Sequence, residues 1–130
     1  MKLKYNNNYT VLYVEDEQDI REELSEILEY YFKNVIVAED GVEAIELYKK
    51  NNIDLVLTDI CMPKMDGLEL TKQIKIDNPH TPVLVVTSHT EHHFLIDCIK
   101  LRVDGYILKP LDLDTLDAEL KLRIEDIELK

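Results

Sequence analysis

Five residues of this chain could form a charged, oxygen-rich site, and each stands where a short apolar run stops. Glu15 and Asp16 follow Tyr9-Thr10-Val11-Leu12-Tyr13-Val14, Asp59 closes Ile53-Asp54-Leu55-Val56-Leu57-Thr58, Thr87 closes Pro82-Val83-Leu84-Val85-Val86, and Lys109 follows Gly105-Tyr106-Ile107-Leu108. Taken singly, each has an ordinary explanation. Asp59 is a polar strand end, Glu15-Asp16 an acidic helix start, Thr87 a strand-favouring residue and Lys109 half of a surface ion pair worth little. Brought to one place they describe different chemistry. Three carboxylates repel one another by roughly 1 to 4 kcal/mol per pair, and one lysine cannot neutralise them all. A bound cation resolves the conflict. Every donor is oxygen, so the ion is hard, and magnesium (Mg2+) suits one or two carboxylates completed by water and a phosphoryl oxygen.

The elements between these residues decide whether they meet. The apolar runs lack strict alternation, which suits strands covered on both faces of a parallel sheet. Between them lie helical patterns. Ile20, Leu24, Ile27, Leu28 and Tyr31 predict a helix from about Gln18 to Phe32, and a second helix opens at Asp40-Gly41-Val42-Glu43, a capping Asp three residues before Glu, and runs to about Asn51. Val35-Ile36-Val37-Ala38 is the strand between them. Pro63 and Asp66-Gly67 make a loop after Asp59, and a third helix covers residues 67–77 before Asn78-Pro79. Ser88 and Glu91 form a capping box for a fourth helix with Phe94, Leu95, Cys98 and Leu101 as its buried stripe, and Asp112 caps a last one. Five strict β-α alternations imply an α/β, flavodoxin-like, doubly wound fold, a five-stranded parallel sheet in the order 2-1-3-4-5 with five helices. All five polar residues then lie at the carboxyl edge, at the switch point where strands one and three diverge.

Composition narrows the function. The chain has 130 residues, 27 acidic against 15 basic, and a formal net charge of -12. Such a charge repels nucleic-acid phosphates and anionic membrane surfaces, so direct nucleic-acid binding and membrane association are not expected. Cys61 and Cys98 have neither disulfide-framework nor metal-ligand spacing. A reducing cytoplasm fits them. No apolar run approaches membrane-spanning length, and the polar amino terminus lacks a targeting segment.

The motifs Val14-Glu15-Asp16, Glu39-Asp40-Gly41-Val42-Glu43-Ala44, Thr58-Asp59-Ile60-Cys61-Met62-Pro63-Lys64-Met65-Asp66-Gly67, Val86-Thr87-Ser88 and Gly105-Tyr106-Ile107-Leu108-Lys109-Pro110, in this order and spacing, resemble a response-regulator receiver domain of bacterial two-component signalling. The likeness extends from about Tyr9 to Ala118. It implies that Asp59 accepts a phosphoryl group from a histidine kinase or phosphotransfer protein. Glu15 and Asp16 match the family's metal-binding pair, with Asp59 and the Cys61 carbonyl completing the protein ligands. Thr87 and Lys109 match its phosphoryl-contacting hydroxyl and cation, and Tyr106 its switch aromatic, acting on a downstream output domain or partner. The chemistry is coherent, since a carboxylate attacking phosphorus needs its own charge, a bridging ion and a donor facing the developing charge. A receiver-like interaction module that is never phosphorylated is the alternative. An aspartyl phosphatase is a weaker one, because such enzymes place a second Asp where Cys61 stands.

Three features depart from the simple pattern. Arg102 ends the fourth helix where the family often has Gly, and a left-handed cap costs Arg roughly 1–2 kcal/mol, so a different ending is expected. His89, His92 and His93 cluster at the start of that helix and read as solvent-facing or packing residues rather than a soft-metal site. Finally, a helix from Asp112 to Lys130 spans about 28 Å, longer than one sheet edge requires. Its stripe of Leu113, Leu116, Leu120, Ile124 and Ile127 approximates a heptad seam. The chain therefore reads as one domain over 1–130, with a core of about 9–123. Residues 124–130 are expected to extend toward a second copy in a homodimer or toward an output segment.

Overall fold

The structure is a computed structural model that describes residues 8–88, 94–109 and 111–129. Strands β1 (Thr10–Val14), β2 (Asn34–Ala38), β3 (Leu55–Asp59), β4 (Val83–Thr87) and β5 (Gly105–Leu108) alternate with helices α1 (Gln18–Leu28), α2 (Gly41–Lys50), α3 (Gly67–Asp77), α4 (Leu95–Lys100) and α5 (Leu113–Glu128). The strands form one sheet in the order β2-β1-β3-β4-β5, and every pair is parallel. This is the order expected from the alternation.

The two-residue period of each strand sends its side chains to two cores. Val11 and Tyr13 of β1, Leu55 and Leu57 of β3, and Leu84 and Val86 of β4 pack with Leu24 and Leu28 of α1 and Leu116, Leu120 and Ile124 of α5. The intervening Leu12, Val14, Val56, Val83 and Val85 pack with Ala44 of α2, Leu70 and Ile74 of α3 and Cys98 of α4. Central strands β3 and β4 are buried at every position, so their runs carry no alternation. Edge strand β5 is different, with Tyr106 and Leu108 exposed. Helix starts follow their caps: Asp40 accepts from the Glu43 N–H, Asp66 from the Glu69 N–H and Asp112 from the Asp114 N–H.

Several expectations need correction. Helix α1 stops at Leu28 rather than near Phe32, because the chain tightens there: the Tyr30 and Tyr31 N–H groups donate three residues back, to Ile27 and Leu28. Tyr31 and Phe32 still enter the core from outside the helix. Helix α4 is described only from Leu95, whose side chain is exposed rather than part of the buried stripe. The Glu91 half of the Ser88 capping box, and His89, His92 and His93, lie outside the described residues. Arg102 does adopt the left-handed cap, at φ 59°. Its N–H donates to Ile99 at 3.1 Å and the Val103 N–H donates to Cys98 at 3.2 Å, so the two bonds that close a helix end offset the cost of the missing glycine.

The expected boundary near residue 123 is not a packing boundary. Ile124 is 4% exposed and belongs to the core cluster that holds Leu28, Tyr31 and Phe32, and Ile127 is partly buried against the same cluster. The stripe expected to overhang is therefore part of the same core cluster as Tyr31 and Phe32. Leu113 and Leu122, by contrast, face solvent.

Candidate functional site

Parallel register brings the five polar residues together. Val14 pairs with Thr58, Asp59 with Val86 and Thr87 with Leu108, so the residues that follow β1 and β5 join Asp59 and Thr87 at one edge. Two of the acids are buried there, Glu15 at 2% and Asp59 at 4% exposure, whereas Asp16 is open to solvent. Oxygens of all three carboxylates lie within 4.8 Å of one another.

Main-chain bonds hold these groups. Asp59 Oδ1 accepts from the Ile60 N–H at 2.7 Å, which leaves Oδ2 to accept from Lys109 Nζ at 2.7 Å. Lys109 Nζ is also 3.8 Å from Glu15 Oε1, so one ammonium serves two buried acids. The Lys109 N–H donates to the Thr87 carbonyl at 2.7 Å, tying the ends of β4 and β5 and carrying the lysine to the site. Thr87 itself is buried, and its hydroxyl donates to the Ser88 carbonyl at 3.4 Å. Glu15 Oε2 accepts from the Glu17 N–H at 3.2 Å.

The electrostatics show what the cluster lacks. The Glu15 carboxyl is raised to about 7, chiefly by burial; the Asp59 charge and a hydrogen bond with Asp16 contribute to the rise, while the Glu17 N–H bond and Lys109 oppose it. Burial, then the Glu15 and Asp59 charges, likewise raise the Tyr13 hydroxyl above its ordinary range. Among the described residues one ammonium, Lys109, pairs with these acids, which leaves the cluster net negative. A hard divalent ion fits this all-oxygen set.

The loop after β3 is built to close contact. Gly67 N–H donates to the Ile60 carbonyl at 2.8 Å, and a Cβ at Gly67 would lie 2.0 Å from the Asp59 carbonyl oxygen. Gly41 N–H donates to the Met65 carbonyl at 3.2 Å and Lys64 pairs with Asp40 at 3.5 Å, so the loop also leans on the start of α2. Cys61 lies in this loop with its thiol exposed. Tyr106 is 43% exposed, which excludes a core-packing role in this state.

Two contributors were not apparent from residue types and spacing. One is Gly67, whose signal was confined to the Asp-Gly turn. The other is Arg21, which donates to the carbonyls of Glu15 and Asp16. The only trace of it in the sequence is a basic residue inside an acidic helix start.

The sequence pattern of the family described as "Response regulator receiver domain" matches residues 11–121. The chain belongs to the response-regulator receiver family. Among its relatives, chemotaxis protein CheY-3 of Vibrio cholerae is 35% identical over 123 residues, an alignment covering 92% of this receiver domain and 95% of CheY-3. A cyclic di-GMP phosphodiesterase of Thermotoga maritima is 38% identical over 111 residues, which are 85% of this chain and only 30% of the longer protein. The crystallised REC domain of AraT, a response regulator from Geobacillus stearothermophilus, superposes with a TM-score of 0.86 at 35% identity, covering 95% of this receiver domain and 98% of that chain. No helix among the described residues is long and apolar enough to cross a membrane.

Proposed function

We propose that this receiver domain is a phosphorylation-dependent switch whose acceptor is Asp59. The observation that carries the reading is the buried Asp59 carboxylate held 2.7 Å from Lys109 Nζ, with Glu15 and Asp16 close enough to share a cation. In this reading an Asp59 oxygen attacks the phosphorus of a phosphohistidine on a histidine kinase or phosphotransfer protein. A P–O bond forms, the P–N bond breaks, and the imidazole leaves with the bonding electron pair and is reprotonated. Lys109 faces the charge that develops on the phosphoryl oxygens. Glu15, Asp16, Asp59 and the Cys61 carbonyl would hold Mg2+, which when bound neutralises phosphoryl charge and orients the group. An apolar groove of about 400 Å³ beside Lys109, lined in part by Ile20, Leu24, Ile27, Leu111 and Leu116, offers the donor a surface next to the acceptor.

The output follows from Thr87 and Tyr106. A phosphoryl group on Asp59 draws the Thr87 hydroxyl toward it, and the exposed Tyr106 ring turns into the vacated space, changing the α4-β5-α5 face. That face is apolar enough to engage a partner or output domain, since Ile96, Ile99 and Leu113 are all well exposed. The net charge of -12 supports a cytoplasmic protein partner over nucleic acid or membrane. The domain acts as a phosphoacceptor rather than a turnover enzyme, because no acid occupies position 61 to protonate an ester leaving group.

The test is intact-mass measurement after incubation with acetyl phosphate and Mg2+. One phosphoryl adduct is expected, absent in Asp59→Asn and absent when the metal is chelated. An adduct that survives Asp59→Asn moves the acceptor elsewhere, no adduct in the wild type supports the interaction module, and steady turnover of p-nitrophenyl phosphate supports the phosphatase.

A further inference from the structure

Helix α1 begins Gln18-Asp19-Ile20-Arg21, and the arginine there works against the helix dipole, whose positive end favours acids in the first turn. Its side chain does not extend into solvent. It folds back over the start of the helix and is 13% exposed, although Asp16, Glu17, Gln18 and Asp19 are all exposed. Nη1 donates to the Glu15 carbonyl at 2.8 Å and reaches the Asp16 carbonyl at 3.4 Å. Nη2 lies 3.6 Å from Glu39 Oε1, just after β2.

These targets are specific. The first α-helical bond runs from the Arg21 N–H to the Glu17 carbonyl, so the carbonyls of Glu15 and Asp16 lie outside the helix ladder. Nη1 of Arg21 donates to both while Nη2 faces Glu39, a planar two-nitrogen span that a lysine cannot reproduce. It grips the main chain of both acidic residues, and its ion pair among the described residues is with Glu39 rather than with either of them. The carboxylates of Glu15 and Asp16 are thereby oriented without being neutralised. Glu39, just after β2, pairs with the other arm of the fork.

We infer that Arg21 is a positioning residue for the cation site, clamping the Glu15 and Asp16 carbonyls so that their carboxylates meet Asp59. The inference rests on the reading of that cluster as a Mg2+ site. A purely electrostatic role gives the opposite sign, because a guanidinium beside a cation site repels the ion, and its removal would then tighten binding.

The experiment is calorimetric titration of Mg2+ into the full chain, wild type against Arg21→Ala, Arg21→Lys and Glu39→Gln. Amide exchange at Asp16 and Glu17 in the metal-free proteins is measured alongside. If Arg21 positions the acids, Arg21→Ala weakens Mg2+ binding about tenfold, the lower end of what loss of a ligand-orienting partner costs. Arg21→Lys should fall between it and wild type, Glu39→Gln should lose a smaller factor, and exchange at both amides should accelerate in the order of the affinity losses. Unchanged or tighter binding by Arg21→Ala overturns the inference. Should that variant fail to fold, wild-type affinity in folded Arg21→Lys and Glu39→Gln overturns it equally. A wild type that binds no Mg2+ refutes the reading of the site itself, whereas Mg2+ binding indifferent to Arg21 refutes only the clamp.

Discussion

The closest approach at the acceptor is made by Gly67, and adding one methyl group there tests whether α3 seats against the end of β3 as described. A Cβ at Gly67 would lie 2.0 Å from the Asp59 carbonyl oxygen, 2.9 Å from its carbonyl carbon and 3.0 Å from Ile60 Cα. All three obstacles are main chain, so no rotamer change relieves them. Restoring ordinary contact moves the start of α3 by about 1 Å or more, which breaks the Gly67 N–H bond to Ile60 and strains the Asp66 cap. The helix propensity of alanine returns at most about 1 kcal/mol, while overpacking costs about 1–3 kcal/mol or more. The net prediction for Gly67→Ala is a loss of about 2 kcal/mol or more in urea unfolding, with slower phosphorylation by acetyl phosphate because Asp59 shifts. Gly105→Ala is the control. Its Cβ meets the ends of the Glu119 and Leu84 side chains at 2.9 Å, and these can move, so a loss below about 1 kcal/mol is expected. A Gly67→Ala midpoint matching wild type, or a larger loss in Gly105→Ala, would refute the reasoning.

Glu15 titrates higher folded, at about 7, than its ordinary 4.5, so the fold prefers it protonated. In chelator, stability should fall as pH rises from about 4.5 to about 7, by up to about 3 kcal/mol, and thermal melts of Glu15→Gln should lack that slope. Excess Mg2+ should raise the wild-type melting temperature at pH 8 and have a smaller effect on Asp16→Asn. Ile124→Asp, which puts a carboxylate into the α1-α5 core, should cost about 3–5 kcal/mol in urea unfolding rather than merely weaken self-association by sedimentation. Thr87→Ala should accept phosphate yet fail to shift the NMR signals of α4, β5 and α5; a full wild-type pattern of shifts in that variant would break the proposed coupling to Tyr106.

Much of the site was legible because its geometry follows from strand periodicity. Once Val11–Val14, Leu55–Asp59 and Val83–Thr87 read as buried parallel strands, their ends had to share an edge, and Glu15, Asp59, Thr87 and Lys109 came with them. Helix ends were harder, since they depend on bonds between groups that carry no periodic signal. Tyr31 sits at helical spacing from Ile27 and Leu28, yet the Tyr31 N–H closes a three-residue turn. Arg102 carries a steric cost visible in its residue type, but the two bonds that offset it are made by main-chain atoms of Ile99 and Cys98. The end of α5 differs for a related reason: Ile124 is buried in a tertiary cluster that includes Tyr31 and Phe32, and helical periodicity does not report such packing. Arg21 was invisible because its contacts run five and six residues back along the chain, outside any helical repeat.

In the central strands and at three helix starts local preference and global packing agree, which makes the acidic edge informative. Strand residues of β3 and β4 are buried at every position and three helices open on Asp caps, whereas Glu15, Asp16 and Asp59 crowd like charges at one edge. The surrounding structure holds these acids in place. Gly67 admits the α3 start against the Asp59 main chain, Lys109 is carried in by the tie between β4 and β5, and Arg21 holds the β1-α1 turn by its carbonyls. Each of these devices fixes the position of an acid, and among the described residues only Lys109 pairs with the two buried acids. A site arranged this way is stabilised by whatever brings in the missing positive charge. Cation binding and the charge state of Glu15 should therefore be thermodynamically linked, each changing the other's equilibrium by the same factor.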